Sequence, residues 1–118
     1  MLGADSGSAF VVSGMGSLAN ATLRFADAAT ETPLTGAFEI LSLTGTLTPD
    51  GAHLHMSIGD DQGRVVGGHV GYGNHVRTTA EVLLVFLSEW ALSRAFDPGT
   101  GFKELVVHPL QKTKSKTP

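Results

Sequence analysis

The chain has 118 residues, 42 % of them hydrophobic and 16 % charged, with no cysteine and a formal net charge of −3. That size and balance describe one folded domain and exclude a disordered chain, a disulfide framework and a thiolate metal site. Three of the eight basic residues, Lys112, Lys114 and Lys116, lie in the last seven positions, which leaves five against eleven acidic residues, a balance of −6.

Fifteen glycines, with Asp, Asn and Pro between apolar runs, cut the sequence into short segments of β type. In chain order the expected strands are residues 8–13, 19–25, 36–47, 53–58, 64–70, 76–86 and 102–108. Gly14-Met15-Gly16-Ser17 reads as a β-turn, because it lacks the Lys-Ser/Thr ending of a phosphate loop and no helix follows it. Val11-Val12 and Val106-Val107 are continuous apolar runs, as in strands covered on both sides. Leu41 and Leu43 alternate with Ser42 and Thr44, as in a half-buried strand.

Residues 79–96 mix helix formers with Val82, Val85 and Phe86, so a helix competes with a strand there. The reading adopted is a strand to about Phe86 and an irregular stretch around Trp90, with a turn at Asp97-Pro98-Gly99. Residues 1–109 form the domain; residues 110–118 are a basic tail expected to be disordered.

The chemistry concentrates at His53, His55 and His69. His53 and His55 are two apart and share one face of an extended strand. Asp60-Asp61-Gln62-Gly63 suits a three-residue loop, a type I turn closed by glycine in the left-handed conformation. With residues 61–63 as the loop, residue 60 pairs with 64 and His55 lies opposite His69. Directly opposed residues have Cβ atoms about 5 Å apart, within reach of one shared ion. A two-residue loop would turn His69 to the other face.

Three imidazoles with a fourth position left for water suit Zn²⁺ or another divalent metal. The competing reading is a polar surface or a subunit contact. Glu81 is the carboxylate that could orient a ligand histidine or act as general base, against the simpler role of an ion pair with Arg77. His75 has no register to place it, and His108, next to Pro109, reads as structural or exposed. Asp60 and Asp61 read as turn residues.

Residues 36–47, Gly36-Ala37-Phe38-Glu39-Ile40-Leu41-Ser42-Leu43-Thr44-Gly45-Thr46-Leu47, carry a family resemblance. With His53-Leu54-His55, Gly67-Gly68-His69 and Thr78-Thr79-Ala80-Glu81 they resemble the PPC (plants and prokaryotes conserved) domain. Phe10-Val11-Val12-Ser13-Gly14-Met15-Gly16-Ser17-Leu18 is similar to its first glycine-bearing strand, and Thr100-Gly101-Phe102-Lys103-Glu104-Leu105-Val106-Val107 to its last.

The resemblance implies an α+β, β-rich fold: a mostly antiparallel sheet with few helices, assembling as a homotrimer. It also implies a DNA-binding or protein-interaction role, as in the plant AT-hook proteins. This chain has no Arg-Gly-Arg-Pro hook, and its acidic body predicts poor affinity for DNA, which is won largely by Lys and Arg neutralising phosphates. Stand-alone members of the family carry the histidines that plant members generally lack, which supports a metal at His53, His55 and His69. Family members have a further strand and helix before the stretch matching residues 8–14. Only seven residues precede it here, so a shortened form or a late start is expected, with an exposed sheet edge.

The sequence thus favours a non-enzymatic, homo-oligomeric module with a three-histidine metal site, associating through apolar faces such as Ile40 to Leu43 and Val82 to Phe86. The rival is a zinc-dependent hydrolase or lyase with Glu81 as base. DNA and other proteins are the further partners considered. No run approaches the roughly 20 apolar residues of a membrane span. The start lacks a signal-peptide pattern, so a cytoplasmic setting is expected, or a nuclear one in a eukaryote.

Overall fold

The structure is a computed structural model and describes residues 6–110. Seven strands follow one another: β1 (Ala9–Arg24), β2 (Thr32–Thr48), β3 (Gly51–Gly59), β4 (Val65–Val70), β5 (His75–Phe86), β6 (Trp90–Asp97) and β7 (Phe102–Pro109). Every pairing is antiparallel, and there is no helix among the described residues. The β-rich antiparallel expectation holds, and the strand reading through Phe86 prevails over the helix.

Strand β1 organises the fold. Along one edge it pairs with β2; along the other it pairs with β5 and, at Leu23 and Arg24, with β4. Since β2 pairs with β3 and β3 with β4, the series β1-β2-β3-β4 closes on itself. Alternate side chains from this ring point inward: Leu18, Ala21, Leu23, Phe38, Ile40, Met56 and Ile58 form the core. A fully buried side chain of this kind contributes about 1.5–3 kcal/mol, so the ring holds together chiefly by its inner face.

Three sequence expectations are corrected here. Gly14-Met15-Gly16-Ser17 is not a turn, because β1 runs through it without a break. The glycines serve close approach instead. A Cβ on Gly14 would lie 2.9 Å from the Leu43 side chain, and one on Gly16 would collide with the Thr79 carbonyl oxygen. The stretch around Trp90 is likewise not irregular. It begins β6, which forms a two-stranded sheet with β7 across the Asp97–Gly101 turn. Finally, Val12 and Val107 are 48 % and 50 % exposed, so neither valine run is covered on both sides within one chain.

A bulge between Ile40 and Ser42 accounts for the pattern in β2. One extra residue shifts the alternation, so Ile40 and Leu43 both pack inward while Leu41 is 52 % exposed. The Ile40-to-Leu43 face expected for association is therefore partly spent on the core.

Candidate metal centre

The loop between β3 and β4 has the geometry that its residues imply. Gly63, at φ 78°, donates its backbone N–H to the Asp60 carbonyl (3.1 Å), and Asp60 N–H donates to the Arg64 carbonyl (2.9 Å). The Asp60 carboxylate accepts the backbone N–H of Gln62 and of Arg64 and also meets Arg64 Nε at 3.1 Å. Those backbone donors, Arg64 first, hold its carboxyl below the usual range. This is a type I turn with a glycine bulge, and it fixes the register of everything above it.

That register places His55 opposite His69, and Thr46 opposite His53. Met56 and Ile58 are buried in the ring, so His53 and His55, one strand parity away, face outward. The three ring centroids lie 5.1, 4.9 and 5.7 Å apart. One nitrogen from each ring falls within 4.8 Å of the others. Tetrahedral ligand atoms on bonds of about 2.0–2.1 Å are roughly 3.4 Å apart, so small side-chain rotations close the set around an ion.

Two observations test whether these residues fit a cation. His69 Nδ1 is buried and has no hydrogen-bond partner, a costly state that an ion at that nitrogen relieves. The protonation state also agrees. Burial, then the nearby charge of Arg94 and the neighbouring histidines, lowers the pKa of His53 below its ordinary 6.5. Burial, then Arg24, does the same for His69, with Glu31 opposing. Both rings are thus biased toward the neutral form that ligates metal.

The other candidates lie elsewhere. His75 shares Asn20 Oδ1 through both its backbone N–H (2.9 Å) and its ring Nδ1 (2.8 Å). His108 pairs with Ala91 in the β6–β7 sheet. Glu81 is exposed, faces Met15 across β1 and β5, and is not in the histidine group. Its ion pair with Arg77 is not formed; the only ion pair among the described residues joins Arg64 and Asp60.

Around the histidines stand residues that the sequence did not single out. Arg24 pairs directly with His69 across β1 and β4. Arg94 reaches over from β6, with Nη2 2.8 Å from Thr46 Oγ1 and its backbone N–H on Asp50. Glu31 lies against Gly71, where a Cβ would strike its carboxylate. Arg24 and His69 are 45 positions apart, and no spacing rule within one hairpin could pair them.

The sequence pattern of the Plants and Prokaryotes Conserved (PCC) domain matches residues 3–88. The chain belongs to this family. Among solved structures of similar fold, a hypothetical protein from Salmonella cholerae-suis is 38 % identical with a TM-score of 0.83, covering 86 % of this chain and 74 % of that one. A metal-containing protein from Archaeoglobus fulgidus is 30 % identical with a TM-score of 0.72, covering 84 % and 74 %. The bifunctional protein GlmU of Synechococcus sp. (strain JA-3-3Ab) is 44 % identical over 109 residues, 92 % of this chain but 18 % of that protein. This chain therefore spans under a fifth of the length of the curated relatives it matches. No helix among the described residues is long and apolar enough to cross a membrane.

Proposed function

We propose that this chain is a homo-oligomeric, metal-binding module of the PPC type, in which His53, His55 and His69 hold one divalent ion, Zn²⁺ being the natural choice for three imidazoles. The observation that carries this reading is the convergence of three ring nitrogens on one face, with the buried Nδ1 of His69 lacking any partner. Similarity to a metal-containing protein supports it. When bound, such an ion offers an open position and Lewis acidity; the protein supplies the fixed donor set and two neighbouring arginines.

Self-association, as the trimer of the family, is supported by apolar surface that one chain leaves bare. Val82, Leu83, Val85 and Phe86 on β5, and Trp90, Phe96, Phe102 and Val107 on the β6–β7 hairpin, are each 44 % exposed or more. Exposed apolar side chains in this number are a common mark of a protein contact. Elemental analysis of the purified protein and of His55→Ala tests the metal, with one ion per chain expected in the first and none in the second. Sedimentation at micromolar concentration tests the assembly; a monomer there defeats it.

The second reading, a zinc-dependent hydrolase or lyase, is favoured by one feature. A cleft of about 530 Å³ opens beside His69. Within it Glu31, not Glu81, is the carboxylate close to the histidines. DNA contact by the folded body runs against its charge. The lysine tail, which lies outside the described residues, is the source to delete in a salt-dependent binding assay.

A further inference from the structure

Resting on the self-association proposed above, two bare strand edges carry a deduction about which surfaces meet. Among the described residues β5 pairs with β1 alone and β7 with β6 alone. Each therefore has one row of backbone N–H and C=O groups with no strand beside it, and such groups need partners. Folded proteins blunt a free edge with charge or proline, because it templates pairing with another chain. The end of β5 has neither: residues 82–86 read Val-Leu-Leu-Val-Phe, and four of the five are 44 % exposed or more. Strand β7 carries a run of the same kind, Leu105-Val106-Val107.

The outer edge of β6 differs, because its own chain already serves it. The backbone N–H of Leu92 donates to Ser8 Oγ and that of Arg94 to Asp50 Oδ2, each at 2.9 Å. The same two bonds fix where the hairpin lies. Ser8 precedes Ala9, which sits between Phe86 of β5 and Leu47 of β2, and Asp50 belongs to the β2–β3 turn. After the three-residue link from Phe86 to Trp90, β6 thus crosses the start of β1 toward the β2 side. The hairpin is moored away from the outer edge of its own β5, and that edge is left for a neighbour.

We propose that the outer edge of β5 pairs with the outer edge of β7 from a second copy of this chain, head to tail, so that the sheet runs on from copy to copy and closes as a ring of three. Unlike surfaces that meet head to tail make rings, and this pairing uses both bare edges of every chain. A β5-to-β5 contact would leave β7 uncovered. The area agrees. A standard contact buries about 1,600 Å², of which roughly 900 Å² is apolar. Each head-to-tail contact gathers β5 of one copy and the hairpin of the next. Phe86, Trp90, Phe96 and Phe102, at 44–65 % exposed, offer roughly 400 Å² of bare ring. The exposed Val and Leu of β5 and β7 add roughly 250 Å², which together is most of that requirement.

The chain has no cysteine, so introduced thiols report the contact without background. Val82→Cys and Leu83→Cys mark the two faces of β5, and Leu105→Cys and Val106→Cys the two faces of β7. Each β5 variant is co-expressed with each β7 variant in the full chain, and the purified mixtures are treated with a short bismaleimide. Opposed residues on paired strands have Cβ atoms about 5 Å apart, within the span of such a linker. The expected result is a trimer in sedimentation, a covalent two-chain product in the same-face mixtures, and no product from any variant alone. A monomer in sedimentation ends the self-association reading and this proposal with it. An oligomer that gives no product in any mixture, or in which a β5 or β7 variant cross-links with itself, overturns the β5-to-β7 pairing and leaves self-association standing.

Discussion

Hairpin β3–β4 is hydrogen-bonded into the closed ring on both sides, by β2 and by the last residues of β1, whereas hairpin β6–β7 is a two-stranded sheet of its own. In the first, Met56 and Ile58 sit in the core and the outward positions are left for polar side chains. In the second, Leu92 alone is deeply buried, and Trp90, Phe96, Phe102 and Val107 face solvent. An isolated two-stranded hairpin is marginal in water at best. The β6–β7 sheet is moored by a few polar contacts: Ser8 Oγ accepts the Leu92 N–H at 2.9 Å, and Asp50 and Thr46 hold Arg94. The comparison teaches that a rigid site needs a strand paired on both edges. An apolar hairpin paired only with itself leaves Trp90, Phe96, Phe102 and Val107 exposed, and it is there that the proposed self-association can be tested.

Breaking the rigid hairpin should give the largest effects. A Cβ on Gly45 would run into the His53 carbonyl oxygen and lie 2.8 Å from Leu54 Cα. Gly45→Ala therefore forces β2 and β3 apart at the histidines. It should cost about 3 kcal/mol in denaturant unfolding and also lower metal content. His55→Ala removes a ligand without touching the core. Its metal affinity should fall by more than the ~100-fold that loss of a mere supporting contact costs, with the far-UV dichroism unchanged.

The loose hairpin should respond in assembly and not in metal. Leu83→Asp combined with Phe96→Asp places charge on the bare apolar surface. The variant should sediment as a monomer while keeping its metal; an unchanged sedimentation coefficient would remove this surface from the interface. A smaller effect is expected at the joint between the two regions. Thr46→Val deletes the acceptor for Arg94 and should lower stability by about 1 kcal/mol, measured by urea titration.

The mildest test is pH. His53 and His69 have folded pKa values below the ordinary 6.5, chiefly through burial. The unfolded chain therefore takes up protons first as pH falls, and the contribution of these rings to stability is complete above 6.5. It is lost as pH drops through the lowered folded values. Melting of metal-free protein should be flat from pH 8 to about 6.5 and decline below it; in His53→Ala the decline should be shallower.

Much of the site was legible because it depends on local rules. Asp60-Asp61-Gln62-Gly63 suits a three-residue loop, that loop sets the pairing, and strand parity then carries His55 to His69. The β-rich antiparallel character followed from glycine punctuation and alternating apolar residues in the same way. The errors arose where a residue answers to a distant neighbour. Gly14 and Gly16 look like a turn by composition, yet they are needed because Leu43 and Thr79 pass close to them. Residues around Trp90 carry no strong strand pattern of their own, and β7 supplies the pairing that makes them a strand. Glu81 was noticed for its chemistry, but the register of β5 places it against Met15.

The sequence by itself carried the hairpin, its register and the three histidines on one face as far as the turn residues allow: Gly63 favours the three-residue loop, and the two-residue period does the rest. Only the tertiary structure decided what surrounds them. Closure of the ring brought Arg24 to His69, and the mooring of β6 brought Arg94 to Thr46. Those pairs are separated by 45 and 48 positions, so inward packing of apolar side chains, not any local signal, sets which strands meet and which charges share the site.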